Sequence, residues 1–257
     1  MSEMDLLEKA ALAEKAARAS GEMLEKRGVI RISRKGENDF VTQMDLKSET
    51  LIRDMLLGAC PEDQFFGEET GGAITADGRW VVDPIDGTTN YMRDHRVYTI
   101  SIAYEHRGEL VIGCVYCPGT DELFLAVRGH GATLNGRPIH VSNVADIRDA
   151  IVHLGFGHRN PVNLRRTMAM FPGLAAEVSD VRRSGTCAYD LCCVAAGRSE
   201  GFMELGLSLY DYAGGYVILT EAGGKLTGWE SGEDGLRAGN ILASNGVLHE
   251  TFRKMLS

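Results

Sequence analysis

The sequence predicts an α/β (α+β) protein made of two packed halves, and three observations support that prediction. A chain of 257 residues that is 44% hydrophobic and 25% charged can bury a large core. Alternating residues flank turn signals between Val97 and Val127, which is typical of antiparallel hairpins. From Ala150 onward, short apolar runs alternate with helical patterns. We therefore expect an antiparallel meander half in residues 1–149 and a second α/β half in residues 150–257.

The first half is expected to open with a helix that ends near Gly28. Its small and apolar residues recur at helical spacing, at Leu6, Ala10, Ala13, Ala17, Ser20 and Leu24. The elements predicted next are a strand at Val29–Ile32, a loop at Gly36 and Asn38, a helix over 45–56 capped by Thr42, a strand at Gln64–Gly67, and a flexible connection through Gly71, Gly72 and 76–78.

The stretch Trp80–Asn90 is the chemical centre of the first half. It opens with a short apolar run that predicts a buried strand, and Pro84 ends the strand with Asp83 at its tip. Asp86–Gly87 is a turn dipeptide, and Thr88 is a residue type that begins helices. A strand tip, a tight turn and a helix N-terminus are therefore predicted within a few residues of each other.

That arrangement suits phosphoryl chemistry. The carboxylates of Asp83 and Asp86 can hold a hard cation, and N–H groups at Gly87 and Thr88 can hold an anion. A cation beside a phosphate cradle is what phosphoryl transfer requires. The alternative is an ordinary strand–turn–helix corner with two solvated aspartates.

The second half is expected to alternate strands and helices. The predicted strands are Ile151–Leu154, Gly201–Leu205 and Asn240–Ser244, and the predicted helices are Pro161–Met170, Thr186–Ala196, Asp211–Glu221 and Val247–Met255.

Further carboxylates have two interpretations each. Asp39 and Asp45 can be solvated loop and first-turn charges, and Asp211 can simply favour the dipole of the helix it opens. Of the adjacent Glu68 and Glu69, only one can face a given site on an extended backbone.

Composition limits the classes of partner and compartment. A net charge of −9 argues against nonspecific nucleic-acid binding, which depends on Lys and Arg. The acidic start of the sequence lacks the pattern of a signal peptide, and no apolar run approaches membrane-spanning length. The six cysteines form no convincing metal or disulfide pattern, so buried free thiols are expected. We therefore expect a cytoplasmic protein with no membrane partner.

Two separated motifs of the chain match a pair of known signatures. Residues 83–90 match the signature D-P-I-D-G-T-T-N, and residues 67–70 are similar to the segment G-E-E-[ST]. Residues 210–215 and 221–224 look like a second signature, W-D-x-A-[AG]-G…E-A-G-G. By these motifs the chain resembles the inositol monophosphatase family, metal-dependent phosphatases of sugar phosphates. The resemblance extends from the first helix to Asn245 and implies a layered αβαβα fold.

The resemblance also implies a role for individual residues. It implies two to three Mg²⁺ ions, with Mn²⁺ as a possible substitute and Li⁺ as an inhibitor. By this resemblance, the first ion would be held by Glu68, Asp83 and the Ile85 carbonyl. The second ion would be held by Asp83, Asp86 and Asp211, and a weaker third ion would have Glu68 as its outer ligand. Catalytic roles are implied for Asp45, Thr88 and Glu68, with Asp45 and Thr88 orienting the attacking water; substrate contacts are implied for Gly87, Thr88, Thr186, Cys187, Glu204 and Asp211.

The resemblance implies that the substrate is a small phosphate monoester, with myo-inositol monophosphate as the first candidate. It implies cleavage by in-line attack of a metal-activated water. It also implies a homodimer. Fructose-1,6-bisphosphatase, nucleotide 3′-phosphatase and histidinol-phosphatase activities occur on the same scaffold. An alternative of another class is an idle relative that binds a sugar phosphate or a protein. Charged residues including Arg93, Arg96, Arg182 and Arg183 can be a solvated surface or can favour a second phosphate. Lys35 and Asp39 fall near a family loop of different length, so no role is assigned to them.

Overall fold

The computed structural model describes residues 3–26, 32–36, 39–72, 77–230, 232 and 239–256. These residues form five alternating layers of helix and sheet, which confirms the predicted layered α/β fold. The helices are α1 Glu3–Glu25, α2 Gln43–Ala59, α3 Thr88–Met92, α4 Pro161–Glu177, α5 Cys187–Ala195, α6 Leu209–Glu221 and α7 His249–Met255.

A short hairpin and a large sheet belong to the first half of the chain. The hairpin pairs β1 Ile32–Gly36 with β2 Asp39–Thr42. The seven-stranded sheet follows chain order, with only its first pair parallel: β3 Gln64–Gly67, β4 Gly78–Asp86, β5 Thr99–His106, β6 Glu109–Cys117, β7 Glu122–Val127, β8 Ala132–Leu134 and β9 Arg137–Ile139. The predicted antiparallel meander is present.

The second half contains a five-stranded mixed sheet. Its strands are β10 Ile151–Leu154, β11 Asp180–Arg182, β12 Gly201–Glu204, β13 Lys225–Thr227 and β14 Ile241–Ser244. They lie in the order β11-β10-β12-β14-β13, with β10 parallel to both of its neighbours. The division of the chain between residues 149 and 150 stays a prediction.

Three large buried clusters hold the layers together, and a smaller one joins Ala213 of α6 to Val81 of β4 and Ala103 of β5. Residues of α1 and α2 such as Leu24 and Ile52 pack on the outer face of the large sheet. On its inner face, α5 and α6 fill the space between the sheets, where Leu191 joins Phe124 of one sheet and Phe202 of the other. A third cluster places α4 and α7 on the far face of the second sheet. Apolar burial of this extent is the main stabilising contribution to such a fold.

The central helix α6 lies unusually close to the large sheet. A Cβ on Gly113 of β6 would lie 2.3 Å from the carbonyl oxygen of Gly214, in the first half of α6. Real Cβ atoms do not approach a backbone oxygen so closely, so glycine at position 113 permits this separation. The contact fixes how deep the N-terminus of α6, with Asp211, sits against the sheet.

Some elements differ from the sequence prediction. Helix α4 runs through Pro172 to Glu177 and does not end at Met170 as predicted. Leu174 in its last turns is buried in the third cluster, and this packing stabilises the helix beyond the proline. The edge strands β11 and β13 have three residues each and carry too little pattern to be predicted. Of the strand predicted at Val29–Ile32 only Ile32 is described, and it begins β1; Gly36, predicted as loop, ends β1, and Gly78, predicted in the connection, begins β4. Residues 27–31, 37–38 and 73–76 lie outside the described residues.

A bulge at the end of β4 shapes the polar corner. Asp83 pairs with Ser101 and Asp86 with Thr99, so three steps along β4 match two steps along β5. Residues three apart on a regular strand point to opposite faces, and one extra residue restores the same face. Asp83 and Asp86 therefore both face one cleft.

Candidate metal and phosphate site

A cleft of about 310 Å³ lies where the end of β4 meets the loops of the second half. Most of the residues singled out in the sequence line it: Glu68, Asp83, Ile85, Asp86, Gly87, Thr88, Thr186, Cys187, Glu204 and Asp211. Asp45 lies behind the lining, in contact with Thr88. The side chains of Lys35 and Asp39 are outside the described residues.

The corner after β4 depends on a glycine. Gly87 has φ +87° and is the N-cap of α3, a conformation that side chains with a Cβ rarely adopt. Before it, Asp83 Oδ1 accepts a hydrogen bond from the Ile85 N–H at 3.0 Å. The backbone therefore turns sharply and presents the start of α3 to the cleft beside two carboxylates.

Four carboxylates meet at this end of the cleft, supplied by both halves of the chain. Burial raises the pKa of Asp83, and the charges of Glu68, Asp86 and Asp211 raise it further. Burial also raises the pKa of Asp211, followed by the charge of Asp86. The charges of Glu68, Asp86 and Asp211 thus oppose the ionisation of Asp83, and all four groups offer oxygen atoms, the ligands that Mg²⁺ prefers. This donor set fits divalent cations, which would relieve the repulsion.

Asp86 joins the corner to the second half. Its Oδ2 accepts hydrogen bonds from Thr186 Oγ1 at 2.6 Å and from the Ala188 N–H at 2.8 Å. Burial raises the pKa of Asp86 to about 7, against the lowering effect of these two bonds. The Thr186 hydroxyl also contacts Thr99 of β5 at 3.2 Å. Because that hydroxyl is committed to Asp86, the start of α5 is held against the corner.

The predicted partnership of Asp45 and Thr88 is present as a contact. Thr88 Oγ1 lies 3.1 Å from Asp45 Oδ1 and 3.0 Å from the Ile85 carbonyl oxygen. Asp45 Oδ2 accepts hydrogen bonds from the N–H and the hydroxyl of Thr42, at 2.8 and 2.7 Å. Asp45 therefore both caps α2 and holds Thr88, whereas the sequence left these as alternatives. Burial raises the pKa of Asp45.

Two further residues of α2 support the site and were missed in the sequence. Ser48 Oγ donates to the Pro84 carbonyl oxygen at 3.0 Å. Glu49, only 1% exposed, accepts hydrogen bonds from the N–H groups of Glu69 and Thr70 at 2.8 and 2.9 Å. With Asp45 they follow the i, i+3, i+4 spacing of one helical face, a signal that could have identified them. This face of α2 contacts three segments of the site, and Glu68 but not Glu69 lines the cleft.

Glu204 and Asp190 form the acidic floor of the second half. Gly155 leaves room for Glu204, because a Cβ there would lie 2.0 Å from the carboxyl group. Burial and then the charge of Asp190 raise the pKa of Glu204 to about 7, while Arg183 lowers it. Asp190, missed in the sequence, is buried, and its Oδ1 lies 2.5 Å from His153 Nδ1 without the alignment of a hydrogen bond. A carboxyl group with a pKa near neutrality can both donate and accept hydrogen bonds to substrate hydroxyls.

The arginines considered in the sequence are not brought together. Arg182 pairs with Asp180 at 2.5 Å on the surface, and Arg96 donates to the Gly119 carbonyl oxygen at 2.7 Å. Neither these two nor Arg93 lines the cleft, and of the four only Arg183 does. Two residues not singled out before, His158 and Arg159, line the cleft with it.

A second acidic group lies away from the cleft. In the described part of the chain, three donor atoms within 4.8 Å of one another occur at Cys60, Glu62 and Asp63, whereas the cleft carboxylates are spread more widely. Asp63 already binds the Lys9 ammonium and accepts from the Trp80 indole and the Tyr104 hydroxyl. An ammonium thus supplies the positive charge there, and the group needs no metal.

The free cysteines are Cys60, Cys114, Cys117, Cys187, Cys192 and Cys193, and all but Cys60 are buried. This arrangement agrees with the predicted buried thiols. Among the described helices, none is long and apolar enough to cross a membrane.

The chain is similar to known proteins along almost its whole length. A model of the inositol monophosphatase family matches residues 5–257. The inositol-1-monophosphatase of Mesorhizobium japonicum is 40% identical over 234 residues, which are 88% of this chain and 85% of that protein. The Nus factor SuhB of Vibrio cholerae is 38% identical over 241 residues, 91% of this chain and 90% of that protein.

Solved structures show the same likeness. The extragenic suppressor protein suhB of Bartonella henselae superposes with a TM-score of 0.93 at 37% identity, over 97% of this chain and 98% of that one. The inositol monophosphatase of Anabaena gives a TM-score of 0.87 at 33% identity, over 98% and 96%.

Proposed function

The chain belongs to the inositol monophosphatase family, and we propose that it is a Mg²⁺-dependent phosphatase that hydrolyses a small phosphate monoester to an alcohol and phosphate. Myo-inositol monophosphate is the first candidate substrate. The observation that carries the proposal is the convergence of Glu68, Asp83, Asp86 and Asp211 beside the turn at Gly87. An idle relative would be expected to have lost one of these four carboxylates.

The proposed metal ligands follow from the donor set. Glu68, Asp83 and the Ile85 carbonyl would hold one Mg²⁺, and Asp83, Asp86 and Asp211 a second, with Glu68 also reaching a weaker third. Bound there, Mg²⁺ would neutralise negative charge on the phosphate and favour ionisation of water. Mn²⁺ is a proposed substitute and Li⁺ a proposed inhibitor.

The residues of the chain would bind the phosphate and orient water. The first N–H groups of α3, at Gly87 and Thr88, have no carbonyl within the helix and would bind phosphate oxygens. Thr88 Oγ1 lies 3.1 Å from Asp45 Oδ1 and 3.0 Å from the Ile85 carbonyl oxygen, and its one proton can go to either. In the proposed mechanism it would donate that proton to Asp45, and a lone pair would remain to accept a proton from water. Water would then attack phosphorus in line while its proton passes to Thr88 Oγ1 as the Thr88 proton moves to Asp45. The phosphorus–ester oxygen bond would break, and the leaving oxygen would take a proton from solvent water.

The rest of the cleft would hold the alcohol part of the substrate. Glu204 would bind substrate hydroxyls. The Thr186 hydroxyl is engaged by Asp86, so a substrate contact in this segment falls to the Cys187 N–H at the start of α5. The homodimer implied by the family resemblance remains a proposal that light scattering would test.

The test is phosphate release from a panel of inositol, sugar, nucleotide and histidinol phosphates, with and without Mg²⁺. We expect Mg²⁺-dependent release from at least one polyol phosphate, and its abolition in Asp211→Asn. Asp180→Asn, which removes an exposed carboxylate outside the cleft, is the matched control and should keep full activity. Undiminished turnover of Asp211→Asn at saturating Mg²⁺ would contradict the two-ion assignment.

The same panel separates the alternatives. Preferred release from fructose 1,6-bisphosphate, a nucleotide 3′-phosphate or histidinol phosphate would redirect the substrate assignment within the family. Since relatives of similar identity are called inositol-1-monophosphatase and Nus factor SuhB, a protein-binding role is the alternative of another class. No phosphate release from any ester would favour that alternative.

A further inference from the structure

Behind the acidic floor of the cleft lies a buried pair of side chains that the proposed mechanism does not use. His153 of β10 is 8% exposed and Asp190 of α5 is 3% exposed, and Nδ1 of the first lies 2.5 Å from Oδ1 of the second. Among the described residues, neither atom has a hydrogen-bond partner elsewhere. Asp190 also lines the cleft, so the pair joins the sheet behind the site to the space that a ligand would enter.

The two strands beneath the pair bring Glu204 to the same place. Strand β10 runs parallel to β12, with His153 opposite Phe202. Side chains two residues apart share a face of a strand, so Gly155 and Glu204 lie on the same face as these two residues. That face is the one that α5 covers, because Phe202 packs among residues of α5. Asp190 therefore reaches its imidazole partner beside the Glu204 carboxyl group, which occupies the room left by Gly155.

The short distance within the pair indicates where its charges lie. Two lone pairs facing each other at 2.5 Å would repel, so one of the two atoms carries a hydrogen. An imidazole ordinarily holds a proton more firmly than a carboxylate does, which leaves the negative charge on Asp190. Without the imidazole, this buried carboxylate would have no partner and would take up a proton itself, because an unpaired buried charge is very unfavourable.

The charge on Asp190 acts on Glu204. Burial and then this charge raise the pKa of Glu204 to about 7, and Arg183 lowers it. Mg²⁺ at the proposed ligands would offset the charges of Asp86 and Asp211, whereas Asp190 is not among those ligands and its charge would remain. In the described part of the chain, the ionisable groups whose charges act on Glu204 or whose pKa it affects are Asp190 and Cys187 of α5, Asp86 of β4, Asp211 of α6 and Arg183 after β11, and the residue paired with His153 on β11 is Arg182.

We propose that His153 and Asp190 are positioning residues for Glu204: the imidazole keeps Asp190 ionised, and the charge on Asp190 keeps Glu204 protonated, so that Glu204 donates its O–H to a hydroxyl of the substrate. The inference rests on the proposed function, in which Glu204 binds the alcohol part of the phosphate ester. A protonated carboxyl group can donate one hydrogen bond and accept others, whereas a carboxylate only accepts. The pair would thereby set the pH above which the cleft loses its hold on substrate hydroxyls.

The experiment follows the titration of Glu204 directly, by NMR in Mg²⁺ of protein that carries ¹³C in its glutamate carboxyl groups. The resonance that disappears in Glu204→Gln is assigned to Glu204. We expect the midpoint of its titration to fall by about one pH unit in Asp190→Asn, the usual effect of removing a nearby like charge. His153→Phe should cause a similar fall, and the double variant should fall no further, because both changes remove the same charge. Asp180→Asn, the same substitution at an exposed position, is the matched control and should leave the midpoint unchanged.

Rescue and kinetics separate positioning from a purely structural role. His153→Gln offers an N–H group to Asp190 and should lower the midpoint less than His153→Phe does; if His153→Phe fails to fold, Asp190→Asn and His153→Gln still decide. With a polyol phosphate as substrate, Asp190→Asn should raise KM about fivefold at pH 7 with kcat little changed, because a midpoint that falls by about one unit from about 7 leaves that much less protonated Glu204. An unchanged midpoint in Asp190→Asn or in His153→Phe, or a further fall in the double variant, would overturn the inference.

The NMR midpoint does not depend on turnover, so this inference and the proposed function can fail separately. If no ester is hydrolysed but the midpoint falls in both Asp190→Asn and His153→Phe, the coupling of the pair to Glu204 stands and the phosphatase proposal fails. If esters are hydrolysed but the midpoint is unchanged in both variants, the positioning role of the pair is refuted alone.

Discussion

Glu49 offers the sharpest test of how helix α2 supports the site. Its buried carboxylate accepts one hydrogen bond from each of two consecutive backbone N–H groups, at Glu69 and Thr70. These N–H groups directly follow Glu68, a proposed metal ligand. In Glu49→Gln, the amide oxygen can accept a hydrogen bond from only one of these two N–H groups. The NH₂ group then faces the other N–H and cannot accept a hydrogen bond from it.

The expected magnitudes follow from those two bonds. Leaving one buried N–H without an acceptor costs about 1–3 kcal/mol, so the free energy of unfolding should fall by about 2 kcal/mol. The turn that carries Glu68 should also lose its fixed position. Since groups that orient metal ligands typically contribute about 10- to 100-fold to metal affinity, the Kd for Mg²⁺ should rise by at least about tenfold.

The assay combines urea unfolding with calorimetric titration of Mg²⁺. Asp54→Asn is the control, because it removes an exposed charge from the same helix without touching the turn. It should leave both quantities within error. A variant Glu49→Gln that is less stable but binds Mg²⁺ with unchanged Kd would show that Glu49 supports the fold only, and would refute the reasoning.

Three further predictions concern single side chains. Thr88→Ala should lower kcat by about 100-fold with KM little changed, Asp45→Asn should behave alike, and steady-state kinetics should show that the double variant loses little more; multiplying losses would mean that the two act separately. Without metal, Asp211→Asn should unfold in EDTA at the same temperature as the unmodified protein or higher, because one of the mutually repelling carboxylates is gone; a lower melting temperature would contradict this. His249 is fully buried with both ring nitrogens near hydroxyls, and burial lowers its pKa to about 4 from 6.5. Because the unfolded chain takes up this proton first, stability should fall as pH drops from about 6.5 to about 4, by at most about 3 kcal/mol. Urea titrations across that range should show a smaller decrease in His249→Gln, and an equal decrease would refute the assignment.

The local pattern of residues 83–90, a strand, a turn and a helix, was sufficient to predict that Asp83 and Asp86 lie beside Gly87, whereas the contributions of Glu68 and Asp211 and the layered fold were implied by the family resemblance. The sequence was not sufficient for the role of Glu49, whose partners are backbone N–H groups twenty residues away and leave no trace in side-chain type. Nor could it separate Arg182 from Arg183, since β11 is too short to show which of two adjacent arginines faces the cleft.

Asp45 illustrates a different difficulty. A first-turn aspartate after threonine predicts a helix cap, and the structure confirms that cap. One oxygen is used for the cap and the other contacts Thr88, so two interpretations that compete in the sequence are compatible in space. Local pattern alone gives no reason to expect the second contact, which joins residues 43 positions apart.

The contact between Gly113 and Gly214 sets the spacing of the proposed metal site. Gly113 has a hydrogen atom where other residues have a Cβ, so α6 packs directly on β6. This close packing sets the distance between Asp211 and the aspartates of β4. A methyl group at position 113 would move the helix, and with it one proposed ligand, while every residue proposed as a ligand stayed the same. Oxygen–metal distances tolerate only a few tenths of an ångström, so the size of a residue on the buried face of a sheet would restrict the choice of cation as firmly as the carboxylates themselves.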